Sequence, residues 1–205
     1  ALDSISEGQD IEQGSRDLAF RLDRTSRDLR QARDLLAALV EIHRAVAGHL
    51  DRKALFTAVA EALRRVVPVD RVILLLSGTD PSALIVYAAH GKTGIRFFEG
   101  ETVSRAGSIA GWVVEHGGGA VVKRTEDVQE AFPVSYQKLC EEGMRSIAVV
   151  PLAAEGRCVG ALSLMAEAAS AWDAVPPTLL EEIAAAVAVA VDHCLAYEEV
   201  QALRD

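Results

Sequence analysis

Apolar side chains first recur along the chain at Leu18, Leu22, Leu29, Ala32, Leu36 and Leu39, with Thr25 holding one place in the series. The steps alternate four and three residues, which is the period of a seam between two supercoiled helices. Polar Arg21, Ser26, Asp28 and Arg33 flank the first half of that stripe. Further on, Leu35, Val40 and Ile42 join it, and a broadened stripe suits a helix lying on a globular core. The pattern predicts one long helix that begins as a dimer arm, through Leu22, Leu29 and Leu36, and ends inside a domain. An amphipathic helix packed only on its own chain is the alternative reading. Residues 1–14 carry no apolar period and read as a loose leader.

Beyond the first helix, Asp51 can cap a second one over Arg52–Val67, with Leu55, Val59 and Leu63 on one face and Pro68 past its end. Val72–Leu76 and Ile147–Leu152 are unbroken apolar runs, as strands covered on both faces are. Strands are also expected at Leu84–Ala89, Ala120–Val122 and Cys158–Met165, the last reached through a Glu155-Gly156 turn. Two short helices are predicted, Ser108–His116 with Ser108 as its cap and Gly117 as its stop, and Asp127–Glu142. Pro176-Pro177 opens a closing helix that runs from Thr178 to the end of the chain. The fold class is therefore α+β, with a central antiparallel sheet of about five or six strands. Long N- and C-terminal helices cover one face, and short helices and loops roof a pocket on the other. Residues 1–34 form the leader and coiled-coil helix, and 35–205 one domain ending in an output helix.

Three stretches give this order of elements a family likeness. Gly107-Ser108-Ile109-Ala110-Gly111-Trp112-Val113, running on to Gly117, resembles the small-residue turn, "GWV" helix and glycine stop of the GAF domain. Gly143-Met144-Arg145-Ser146 leading to Pro151-Leu152 is similar to the family's "GxRSxxxxPL" strand, and Val159-Gly160-Ala161-Leu162-Ser163-Leu164 to its "xGxLxL" partner. The ending Ala190–Val200 resembles the helix that leaves the GAF domain in formate-hydrogenlyase-activator-like regulators. The resemblance implies a sensory input region of a sigma-54-dependent transcriptional activator. Similar exit helices precede histidine kinase and cyclic-dinucleotide enzyme domains, and the alternative that the heptads and the lack of a sharp polar site favour is a ligand-free dimerisation module. No proline or glycine stops the helix over Glu198–Asp205, so an output domain is expected beyond it.

Composition narrows the chemistry. The formal charge is −9, and the arginines between Arg16 and Arg33 alternate with Asp17, Asp23, Asp28 and Asp34, so a direct nucleic-acid surface is not expected. Cys140, Cys158 and Cys194 form no CxxC pair, the N-terminus is polar, and no apolar run is long enough to span a bilayer, which points to the cytoplasm. Gly91-Lys92-Thr93 lacks the preceding glycine of a phosphate loop, and Ser108 lacks a GxSxG elbow. The five histidines have no metal-ligand spacing. The expectation is a non-catalytic chain with no metal and no cofactor. Within the resemblance, Lys123-Arg124 opens a loop without the asparagine of cyclic-nucleotide-binding members, and Cys140 is followed by Glu141 rather than the histidine of bilin-binding members.

The candidate pocket residues are Tyr87, His90, Phe98, Trp112, Arg124, Phe132, Tyr136 and Arg145. Arg145 and Arg124 could hold a small organic anion through charge-assisted bonds. The other reading pairs Arg145 with a nearby acid such as Glu142 and lets the aromatic rings simply pack.

Overall fold

The structure, a computed structural model, describes residues 18–30, 32, 33, 36, 37, 40, 52–91, 98–154 and 156–202. The chain divides into two units, Ala1–Ala37 and Ala38–Asp205. The leader, the Asp51 cap, His43, His49 and Glu155 lie outside the described residues.

In the first unit residues 18–30 form helix α1. Thr25 Oγ1 donates to the Arg21 carbonyl four residues back, at 2.9 Å, and Arg27 pairs with Asp23 one turn earlier. The apolar seam of this helix is open to solvent, with Leu18 60%, Leu22 63% and Leu29 67% exposed, and Leu36, next in the series, is 63% exposed.

The second unit contains α2 (Arg52–Val66), β1 (Arg71–Ser77), β2 (Ala83–Gly91), β3 (Thr102–Ser104) and α3 (Ile109–His116). It continues with β4 (Ala120–Val122), a 3-10 turn (Thr125–Val128), α4 (Pro133–Glu141), β5 (Ser146–Ala154), β6 (Arg157–Ala166) and α5 (Pro177–Ala202). The strands make one six-stranded antiparallel sheet in the order β3-β2-β1-β6-β5-β4. The expected α+β class and sheet are found.

Both central apolar runs are strands buried on both faces. Ile73 and Leu75 of β1, with Ile147 and Val149 of β5, point into a core shared with Ile109, Val113 and Leu139 of α3 and α4. Leu74 faces the other way, where Leu55 and Val59 of α2 and Val187 and Val191 of α5 enclose it. That alternation is the period-two consequence of the pleat.

Two differences from the sequence expectations have physical causes. The predicted helix Asp127–Glu142 is two pieces, because Pro133 disfavours helical backbone in the preceding residue; Phe132 takes φ −133° and ψ 65°. Strand β3 was not expected, since Thr102-Val103-Ser104 offers one apolar residue and pairs only with Ala83–Ile85 at the sheet edge.

Candidate functional site

The short helices over the second sheet face are fixed by local hydrogen bonds. Ser108 Oγ accepts from the Gly111 amide at 3.0 Å, capping α3. Gly117 closes the helix at φ 72° with its amide on the Val113 carbonyl. Gly111 must be glycine: a Cβ there would sit 2.2 Å from the Arg105 carbonyl oxygen. Pro133 opens α4, where a missing amide hydrogen costs nothing. The Val134 amide then donates to the Gly107 carbonyl at 2.9 Å, and the Ile109 amide to Ser135 Oγ at 2.9 Å. The two helix starts are thus stitched to one another.

Beneath them is a small cavity of about 30 Å³, walled mainly by Ile73, Leu75 and Val103, Ile109 and Ala110, Leu139, Ile147, Val149 and Met165. The polar residues in its lining are Ser108, Ser135, Ser163 and Lys138. By volume it holds about two waters. Lys138 Nζ bonds Glu101 Oε1 at 3.0 Å, both side chains being little more than a quarter exposed, and Glu101 Oε2 accepts from the Phe98 amide. At the C-terminal end of α4, Glu142 pairs with Arg71 of β1, and both side chains are shut away from solvent. Burial lowers the Arg71 pKa, against an opposing pull from the Glu167 charge.

The eight candidate residues do not converge on this cavity. Tyr87 lies on the long-helix side of the sheet, in a crevice with Phe56, Val187 and Cys194, and its hydroxyl bonds Glu198 at 3.2 Å. His90 pairs with Val72 on that same side; burial, and secondarily the Arg64 charge, lower its pKa. Phe98 is 70% exposed. Trp112 is on the outside of α3, stacked on His116 with centroids 4.6 Å apart and edge-on to Phe132 at 6.5 Å. Phe132 packs against the core from its rim. Arg124 is exposed and bonds Asp127 at 2.7 Å, which raises its pKa. Tyr136 is half-buried on α4, and hydrogen bonding with Cys140 raises its pKa. Arg145 is exposed, and its backbone bonds Ala166 and Thr125. The acid considered for Arg145, Glu142, belongs instead to Arg71.

Sequence reasoning passed over Lys138, the cationic residue of the cavity wall. A signal existed: Lys138 follows Val134 by four residues and so shares its helix face. Arg71, at the start of an apolar run, gave no comparable sign of burial.

A six-stranded antiparallel sheet with helices on one face and a roofed cavity on the other defines a class of small α+β modules. The GAF domain family matches residues 51–191, and the chain belongs to it. This family is a regulatory and sensory one in signalling proteins. No curated protein matches the chain. Among solved structures, the GAF domain of a phosphoenolpyruvate-protein phosphotransferase from Coxiella burnetii is similar at TM-score 0.66 and 16% identity, covering 82% of this chain and 98% of that one. The GAF domain of a two-component sensor histidine kinase from Bacillus halodurans gives 0.60 and 21%, with 70% and 95% covered. The free methionine-R-sulfoxide reductase from Neisseria meningitidis, solved with its substrate, gives 0.62 and 23%, with 79% and 90% covered.

That last likeness corrects the expectation of a non-catalytic chain. The same fold carries an enzyme, so the fold does not separate catalyst from sensor. In this chain Cys140 is exposed on α4, Cys158 half-buried in β6 and Cys194 buried in α5. No helix among the described residues is long and apolar enough to cross a membrane.

Proposed function

We propose that the chain is the ligand-sensing input region of a bacterial sigma-54-dependent transcriptional activator, working in the cytoplasm. The observation that carries the sensory part is the apolar cavity between the sheet and two short helices, with one cation in its wall. A small molecule entering there separates α3 and α4 from β1, β5 and β6, and its differential affinity for the two packings is the signal. The activator context rests on the Ala190–Val200 exit helix. An ATPase domain encoded in frame after Asp205 supports it; a kinase or cyclic-dinucleotide enzyme domain there refutes it.

A thermal-shift screen of small metabolites tests the sensory part. A ligand at a hundredfold excess over its Kd adds about 2.7 kcal/mol to the folded state. For a chain of this size that raises Tm by about 5–11 °C. Hits must also change amide exchange in α4. A broad screen without any such hit refutes sensing at this cavity.

The open seam of α1 favours a second element of the reading, a homodimer through Leu22, Leu29 and Leu36. Four leucines of one stripe, each at least 60% exposed, are more apolar surface than one helix leaves in water without a partner. Sedimentation is expected to show a dimer at micromolar concentration, weakened by deletion of residues 1–34. A monomeric intact chain refutes it.

A further inference from the structure

The cavity wall has two chemistries, and they are unequally distributed. Ile73, Ile109, Leu139 and Met165 present only hydrocarbon. Ser108 Oγ already donates to the Arg105 carbonyl and accepts from the Gly111 amide, Ser135 Oγ accepts from the Ile109 amide, and Ser163 of β6 adds one more hydroxyl-bearing residue to the wall. The charged residue of the wall is Lys138, whose ammonium Glu101 holds at 3.0 Å with both side chains a little more than a quarter exposed. An occupant with several polar groups would lose hydration and find few partners in so apolar a wall. One with an aliphatic body and a single anionic head would lose almost nothing.

Resting on the sensory reading above, we infer that the ligand is a short aliphatic monocarboxylate whose head takes the place of Glu101 on Lys138. Glu101 is the built-in stand-in for that head. Exchange of one carboxylate for another keeps the ammonium paired throughout, so binding needs no newly desolvated cation. The alkyl chain supplies the affinity, about fourfold per buried methylene. A space of about 30 Å³ is too small for the chain as the roof stands, so entry requires α4 to lift. Release of Glu101 from Lys138 removes one of the bonds that hold α4 down. Binding and roof opening are therefore a single event, and the pocket's depth sets the longest acid accepted.

The test is calorimetric titration of the whole chain with acetate, butyrate, hexanoate and octanoate, alongside hexanamide and hexylamine. Affinity is expected to climb with chain length up to a cut-off, and hexanamide to bind about tenfold or more weakly than hexanoate. Lys138→Gln should erase the preference for acid over amide while lowering Tm by no more than about 4 °C, Lys138→Arg should keep it, and Glu101→Gln should tighten the acids by removing their internal competitor. Equal binding of acid and amide, unchanged acid affinity in Lys138→Gln, or no acid binding at all overturns the assignment. If the amide or the amine changes exchange in α4 while the acids do not, the acid is the wrong class and sensing stands. If no probe and no metabolite does so, sensing falls with it.

Discussion

Removing the Glu142 carboxylate leaves Arg71 as a buried cation. The guanidinium lies on the roof side of β1, on the face shared with Ile73 and Leu75, with the residue 3% exposed. It lies against Gly91 of β2, where an added Cβ would come within 2.8 Å of its Nε. Breaking a buried pair from one side costs about 3–5 kcal/mol, because the surviving charge stays desolvated. The Glu167 charge offsets part of this and sets the expectation for Glu142→Ala at the lower end, about 3 kcal/mol. At about 2–4 °C per kcal/mol, Tm should fall by about 6–12 °C. Arg71→Met/Glu142→Leu removes both charges and fills similar volume, so it should recover to within about 1 kcal/mol of the parent or exceed it. Urea and thermal unfolding followed by circular dichroism measure all three proteins. A loss below about 1 kcal/mol in Glu142→Ala, or a double variant as unstable as the single one, would refute the reasoning.

Gly160→Ala and Gly111→Ala should each lose about 3 kcal/mol, since the added Cβ would lie 2.0 Å from the Leu75 carbonyl oxygen or 2.2 Å from that of Arg105. Gly118→Ala, with nothing within 4 Å and no positive φ, should change stability by less than about 0.5 kcal/mol; equal losses in urea melts of the three would contradict the packing argument. His90, held neutral by burial and by Arg64, has its folded pKa below the ordinary 6.5 while the unfolded chain keeps that value. Stability carried by the neutral ring is complete above pH 6.5 and is lost as pH falls through the depressed folded value. His90→Gln should flatten that part of the pH–stability curve, and parallel curves for the two proteins would show that another group is responsible.

How much the sequence discloses depends on how local the cause is. Strand runs buried on both faces, the Ser108 cap and the Gly117 stop are set by neighbouring residues, and they are found where the pattern placed them. The faces of β2 are not local. In a regular strand His90 would share a side with Leu84 and Val86, facing the cavity. The register instead shifts between Leu74 and Leu75, so that Leu75 pairs with Val86 and Leu74 with Ala88. Tyr87 is the extra residue of this bulge, and everything after it changes sides. His90 therefore meets α2 rather than the roof, and a bulge of that kind leaves no mark in hydrophobic periodicity. Arg145 illustrates a different limit: its place at the head of a buried strand was legible, but which partner captures Glu142 was decided by Arg71, some seventy residues away in sequence.

Lys138–Glu101 and Arg71–Glu142, two ion pairs between the α4 region and the rest of the domain, differ in kind, and the difference assigns them unequal parts in any movement of the roof. Lys138–Glu101 is open enough for water to replace either partner, and a pair of that sort is worth about 0–1 kcal/mol. Arg71–Glu142 is closed to water, and parting it would strand two desolvated charges. Lifting α4 at its Lys138 side is consequently cheaper than lifting it at its C-terminal end by several kcal/mol. Gly143, at φ 70°, lies directly after the buried pair and supplies a backbone conformation that other residues resist. The helix is thus hinged where it meets β1 and loose at Lys138. Arg71 also continues from Asp70, whose carbonyl accepts from Arg64 of α2 at 2.9 Å. The point about which α4 can turn is therefore joined through two consecutive residues to one of the long helices on the opposite face of the sheet.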